Sequence, residues 1–134
     1  YGWKASDGSA SLVIGKNKGG LIANEPLLRE YFKLFQSALA SGGKKILVIG
    51  YGFRDAHINQ VLAQAVCDAG LKIYVLGTSS PEKWKAGVMQ DEASGADILR
   101  GLAGYYPYSL LEMFPSNQTE TAHFLSLKAA LSRE

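Results

Sequence analysis

The stretch that decides the fold is residues 45–76, which read KILVIGYGFRDAHINQVLAQAVCDAGLKIYVL. It begins with an unbroken apolar run that ends at Gly50, and such a run is typical of a strand covered on both faces in a parallel sheet. Asp55 can cap the helix that follows, and Gly70 is placed to end it before a second apolar run over residues 71–76. A strand, a tight turn, a helix and a strand within this stretch predict a βαβ unit with a right-handed crossover.

The sequence before this unit predicts one strand and one helix. Residues 11–14 form a short run of strand-favouring residues between turn signals. Over residues 26–40 the apolar side chains recur at helical spacing, with Asn24 as a candidate cap and Gly42 and Gly43 at the end. We therefore expect a strand and then an amphipathic helix ahead of the βαβ unit.

The sequence after the unit gives weaker signals, and all of them are helical. They indicate a helical turn at residues 82–85 and short helices within residues 91–99 and 109–113. A terminal helix follows, capped by Thr119 or Thr121. Together with the βαβ unit, this pattern predicts an α/β fold of three layers, with a small, mainly parallel sheet and helices on both faces.

Length and composition limit the class of protein. The chain has 134 residues, of which 47% are hydrophobic and 19% charged, and these values predict a single domain spanning residues 1–134. The formal net charge of +2 comes from scattered basic residues, so we expect neither nucleic acid nor an anionic membrane as a partner. No apolar run approaches the roughly 20 residues that a membrane-spanning helix needs.

The cysteine content and the first residue add two expectations. Cys67 has no second cysteine with which to form an internal disulfide, and no Cys or His residues have the spacing of metal ligands. We therefore predict no metal site and a reducing, cytoplasmic setting. The chain starts with Tyr1 in a segment rich in Gly, Ser and Asp rather than with a methionine, which indicates part of a longer protein.

Residues 50–55, between the first strand of the βαβ unit and its helix, are the segment most informative about chemistry. At the carboxyl end of a parallel strand, a helix N-terminus directs free N–H groups toward a crevice where phosphate-bearing ligands bind. The dinucleotide fingerprint is incomplete here, because Asp55 stands where the third glycine would be and a carboxylate repels phosphate. Asp55 is better suited to cap the helix or to accept a hydrogen bond from a ribose hydroxyl.

The second strand ends in a segment, residues 77–79, that we expect at the same edge of the sheet. An ordinary dehydrogenase has an acidic residue there to hold a ribose. This chain instead has Gly77, Thr78 and Ser79, which offer hydroxyls and a bare backbone to a ribose or an adenine. The pattern weakens the nicotinamide reductase hypothesis and leaves two others open, a nucleotide site or two tight turns without a ligand.

Residues 47–59, LVIGYGFRDAHIN, resemble the signature of bacterial sirtuin-like domains. Trp3, residues 14–18 and residues 99–106 add supporting matches, so the resemblance extends over almost the whole chain. It implies a Rossmann-like fold related to the NAD-dependent sirtuin deacetylases, with NAD as the cofactor. The residues that it implies for cofactor binding are Gly50, Tyr51, Gly52, Phe53, Asp55, His57, Gly77, Thr78 and Ser79.

The chain also departs from the family pattern. The Gly-rich loop that holds the pyrophosphate in the family has no counterpart, because residues 8–11 follow no strand. The catalytic histidine of the family would lie before Tyr1. The resemblance therefore implies that this chain is the C-terminal part of an NAD-cleaving or NAD-dependent deacylase-like protein, with a role in bacterial antiphage defence, and that it is inactive alone.

Two other functions remain as alternatives. The first is a non-catalytic interaction or assembly domain that keeps the fold and has lost the ligand. An uncovered sheet edge or face would favour self-association of such a domain into a homo-oligomer. The second is another nucleotide-binding domain of the same fold class, such as a nucleotide hydrolase or a transferase.

For several individual residues we favour a structural role over a functional one. His57 and Asn59 are expected to hydrogen bond to neighbouring loops and to fix the turn, although His57 could also act as a general base. Cys67 is expected to be buried on the inner side of its helix. Asp91 and Glu92 are expected on a solvated helix surface, and a cluster of three tyrosines is expected to pack against the sheet. These tyrosines are Tyr105, Tyr106 and Tyr108.

Overall fold

The computed structural model describes residues 26–117 and 120–132. The predicted strand at residues 11–14 and the candidate cap Thr119 lie outside these ranges. The chain divides into two compact units, Tyr1–Ser37 and Ala38–Glu134. The described part of the first unit is helical, and the single-domain assignment of residues 1–134 remains a prediction.

Six helices and three strands are described. In chain order they are α1 (Pro26–Ala40), β1 (Lys45–Ile49), α2 (Ala56–Ala69), β2 (Lys72–Leu76), α3 (Pro81–Val88), α4 (Gly95–Arg100), β3 (Leu102–Tyr106), α5 (Leu110–Met113) and α6 (Ala122–Ser132), where α5 is a single turn. The predicted helix over residues 26–40 and the predicted βαβ unit are confirmed. Across the described ranges, no helix combines the length and the hydrophobicity that a membrane span requires.

The caps expected for α2 are both present. The Asp55 side chain accepts a hydrogen bond from the backbone N–H of His57, which satisfies one of the free donors of the first turn. Gly70 has φ +66, a left-handed conformation that glycine adopts without a steric penalty, and it ends the helix. At the terminal helix, the Thr121 hydroxyl accepts from the N–H of Phe124, so Thr121 lies at the predicted capping position.

The sheet has the order β1-β2-β3, and all three strands are parallel. Residues 102–106, which the sequence left without an assigned element, form β3 at one edge of this sheet. Gly104 in its centre obscured the pattern, since glycine is depleted in strands. A Cβ at this position would lie 3.0 Å from Cδ1 of Tyr74 and 3.1 Å from Cε2 of Tyr106. The glycine therefore serves the packing of these two tyrosine rings.

Helices cover both faces of the sheet. Successive side chains of a strand point to opposite faces, so Tyr105 and Tyr106 lie on different sides. Tyr105 packs against Trp84 of α3, whereas Tyr106 joins a cluster with Met113 of α5 and Leu127 of α6. The helix α2 packs on α4, and α4 also contacts α3, so these three helices lie on the same face of the sheet. The α/β fold with a small parallel sheet between two helical layers is thus confirmed.

Candidate functional site

The ends of β1 and β2 bring the two predicted turns to one edge of the sheet. The strands are parallel and in register, with Ile49 opposite Leu76. Each strand is followed at once by its glycine, Gly50 or Gly77. The turn of residues 50–55 and the loop of residues 77–79 therefore leave the sheet side by side at its carboxyl edge.

The turn of residues 50–55 has two residues with positive φ. Gly50 has φ +68, and Phe53 has φ +53 although it carries a side chain. The ring of Phe53 is only 2% exposed and lies 4.8 Å from that of Tyr51. At Gly52, by contrast, an added Cβ would meet only the Arg54 side chain at 3.9 Å. The turn is thus anchored at Phe53 and open at Gly52.

Asn59 ties this turn to a distant loop. Its side chain is 1% exposed, and its Nδ2 donates to the carbonyl oxygen of Phe53 at 3.0 Å and to Oδ2 of Asp91 at 2.7 Å. Its Oδ1 accepts a hydrogen bond from the Tyr51 hydroxyl at 2.9 Å. A buried amide needs such partners, because leaving one unsatisfied costs about 1–3 kcal/mol. The expectation that Asn59 fixes the turn is confirmed.

Asp91 is the residue of this network that the sequence did not reveal. The expectation that it lies on a solvated helix surface is wrong, because it belongs to the loop between α3 and α4 and is half-buried. Its Oδ1 accepts from the backbone N–H groups of Ala93 and Ser94, each at 3.2 Å. The carboxylate therefore shapes its own loop with one oxygen and binds Asn59 with the other.

Burial raises the pKa of Tyr51 to about 12, and the nearby carboxylates of Asp55 and Asp91 act in the same direction. Removing the ring from water disfavours the charged phenolate. The hydroxyl therefore keeps its single proton at neutral pH and can donate it to Oδ1 of Asn59 or to the carbonyl oxygen of Asp55, which lies 3.1 Å away.

A cavity of about 550 Å³ opens between the turn and the loop that Asn59 connects. This size lies within the range of small-molecule sites. The polar and aromatic residues of its wall are Phe53, Arg54, Asn59, Gln90, Asp91 and Glu92. Ala56, the first residue of α2, also lines it, so the positive end of this helix lies at the cavity.

The loop of residues 77–79 makes different contacts. The N–H of Gly77 donates to the carbonyl oxygen of Tyr106 at 3.1 Å, and the Tyr105 hydroxyl donates to that of Ser79 at 2.8 Å. A Cβ at Gly77 would lie 3.2 Å from the Tyr105 hydroxyl oxygen. Thr78 is exposed. None of the three loop residues lines the 550 Å³ cavity.

A row of aromatic rings connects the two segments. The rings are those of Tyr51, Phe53, Trp84 and Tyr105, and successive centroids lie 4.8, 5.3 and 5.1 Å apart. The row occupies the α3 side of the carboxyl edge. The structure thus places all of the predicted cofactor-binding residues at one edge. The row of aromatic side chains, however, separates the turn and its cavity from the loop of residues 77–79.

The remaining candidates lie apart from this cavity. His57 is exposed at the start of α2, where its backbone N–H contacts Asp55. Cys67 is also exposed, so the expectation of a buried thiol is wrong. Val66 is the last residue on the buried face of α2, and Cys67 lies outside this face. Nη2 of Arg100 donates to the Cys67 sulfur at 3.0 Å.

Within residues 26–117 and 120–132, no group of three or more His, Cys, Asp or Glu side chains could hold a metal ion. Comparison of the chain with protein-family models, with curated proteins and with solved structures finds no significant match. The sirtuin-like resemblance of residues 47–59 therefore stays a prediction from the sequence.

Proposed function

We propose that this chain is a nucleotide-binding module that holds the adenosine part of NAD or a related nucleotide at the carboxyl edge of its sheet. The observation that carries the proposal is the parallel register of β1 and β2, which places the turn after Gly50 beside the loop after Gly77. Ligands of open parallel sheets bind at this edge. The cavity beside the turn and the N-terminus of α2 support the same location.

The sirtuin-like resemblance extends the proposal to the protein as a whole. As part of a longer protein in a cytoplasmic setting, this module would serve NAD cleavage or NAD-dependent deacylation. In the part of the edge that the structure describes, His57 is exposed and its backbone N–H donates to Asp55, so we assign its ring no catalytic role. The chain alone is accordingly proposed to bind the nucleotide without transforming it.

Isothermal titration calorimetry with NAD and with ADP-ribose tests the proposal on the wild type and on Gly52→Val. Space around Gly52 is open, so the valine should fold normally while it covers the exposed backbone of the turn. Lys44→Gln, an exposed change just before β1 at the amino edge, is the control. We expect heat for the wild type and the control and none for Gly52→Val. Equal heats for all three proteins, or no heat for the wild type, would contradict the proposal.

A second candidate function is a non-catalytic assembly domain, and two observations favour it. The aromatic row fills part of the carboxyl edge with the chain's own side chains. On α5, Leu110 and Leu111 are 53% and 78% exposed, and Phe114 directly after it is 45% exposed. Sedimentation velocity separates the two functions. A dimer that Leu111→Glu dissociates, together with no nucleotide heat, would favour assembly, whereas a monomer that binds NAD would exclude it.

A further inference from the structure

The cavity beside the turn contains polar groups that the fold itself does not use. Within the described residues, Arg54, Gln90 and Glu92 are exposed and their side chains have no hydrogen bond or ion pair. Asn59 and Asp91, in the same wall, are in contrast engaged with the turn and with each other. The cavity therefore has a fixed wall and three side chains that are available to a ligand.

The available groups differ in charge and in position. Arg54 belongs to the turn before α2 and brings a guanidinium, whose planar donors suit phosphate oxygens. Glu92 belongs to the loop between α3 and α4 and brings a carboxylate, which suits a pair of ribose hydroxyls. Asp91 adds a second negative charge on the side of Glu92. A ligand that fits both walls has an anionic group at one end and neighbouring hydroxyls at the other.

We propose that this cavity holds the ribose and the adjacent phosphate of a nucleotide, with Arg54 donating to the phosphate and Glu92 accepting from the ribose hydroxyls. Ala56, the first residue of α2, lines the same side of the cavity as Arg54; the Asp55 carboxylate already caps this helix end, so the phosphate is assigned to the guanidinium of Arg54. This inference rests on the proposed nucleotide function and refines it. The ribose and phosphate then lie on the α3–α4 side of the turn, away from residues 77–79, which the sequence analysis considers for a ribose or an adenine.

Equilibrium binding of three probes to three proteins tests the assignment. The probes are ADP-ribose, adenosine and 2′,3′-dideoxyadenosine, and the proteins are the wild type, Arg54→Gln and Glu92→Gln. Both substituted side chains are exposed and have no partner in the described structure, so the variants should fold as the wild type does. Their melting temperatures confirm this point, and Lys44→Gln at the amino edge is the control for an exposed charge.

Each variant has its own expected pattern. Arg54→Gln should bind ADP-ribose about tenfold more weakly and adenosine as the wild type does, because only ADP-ribose carries phosphate. The wild type should prefer adenosine to the dideoxy compound about tenfold, and Glu92→Gln should lose this preference. ADP-ribose binding that is equal in the wild type and both variants would overturn the assignment and leave the proposed function intact. No binding of any probe to the wild type would overturn both.

Discussion

Phe53 adopts a backbone conformation that costs a residue with a Cβ on the order of 1 kcal/mol, since its φ is +53. The compensating contacts are the burial of its ring and the hydrogen bond from Nδ2 of Asn59 to its carbonyl oxygen. Asn59 also reaches Asp91, which is 32 positions further along the chain. One amide side chain thus fixes the shape of the turn and the width of the cavity beside it.

Asn59→Ala is therefore expected to lower the free energy of unfolding by about 2–3 kcal/mol, because it leaves the Phe53 carbonyl oxygen and Oδ2 of Asp91 without the Nδ2 donor. Urea denaturation followed by circular dichroism measures the change. Gln60→Ala, an exposed neighbour on the same helix, is the matched control and should change stability by less than about 0.5 kcal/mol. A loss of the same small size for both variants would show that the network does not hold the turn.

Tyr51 leads to a prediction at high pH. Burial raises its pKa to about 12 in the folded chain, above the ordinary value of 10.0. The unfolded chain therefore loses this proton first, and the contribution of Tyr51 to stability is present below pH 10 and is lost as the pH rises toward 12. Tyr51→Phe removes the titrating group, so its stability should fall less steeply over this interval.

Urea denaturation of the wild type and Tyr51→Phe at pH 9, 10 and 11 measures this difference. Tyr105 and Tyr106, whose pKa values burial also raises, remain in both proteins, so their contributions cancel in the comparison. Parallel stability curves for the two proteins would show that Tyr51 does not titrate with a raised pKa.

At the scale of the elements, the connection between α3 and α4 requires the backbone at the start of α4 to pass close to the backbone at the end of α3. A Cβ at Gly95, the first residue of α4, would lie 2.5 Å from the carbonyl oxygen of Val88. We expect Gly95→Ala to destabilise the chain by about 2 kcal/mol, because the backbone has to shift. Gly87→Ala in α3 is the matched control, since nothing lies within 4 Å of its added Cβ.

The control should leave stability unchanged or raise it by about 0.5–1 kcal/mol, because alanine favours a helix over glycine. Thermal denaturation compares the two variants with the wild type. Equal melting temperatures for Gly95→Ala and Gly87→Ala would contradict the close packing of α4 on α3.

The elements with strong local signals could be predicted from the sequence. The helix α2 has its cap at Asp55 and its stop at Gly70, and both are properties of neighbouring residues. The strand β3 could not be predicted, because it contains Gly104 and its place depends on β2, which is distant in sequence. The exposure of Cys67 could not be predicted either. Its neighbour Val66 is buried, but the next residue of a helix can lie on the buried face or on the exposed face.

For the whole molecule, the sequence could predict that two turns meet at one edge, because parallel strands end on the same side. It could not predict which turn has the cavity. That depends on the contact of Asn59 with Asp91 and on the aromatic row from Tyr51 to Tyr105, both of which join residues far apart in sequence. The local sequence pattern thus predicts that the two turns meet at the carboxyl edge of the sheet. Packing between residues far apart in sequence determines which turn lies beside the cavity.

Amide chemical-shift mapping of the ¹⁵N-labelled chain during titration with NAD tests the nucleotide site most directly. We predict perturbed signals at residues 53, 54 and 56 and in the loop of residues 90–93, which line one cavity, with smaller changes at residues 77–79. Signals of residues 43–45 and 70–72 at the amino edge should stay in place. Unchanged spectra at saturating NAD, or perturbations confined to the amino edge, would contradict it.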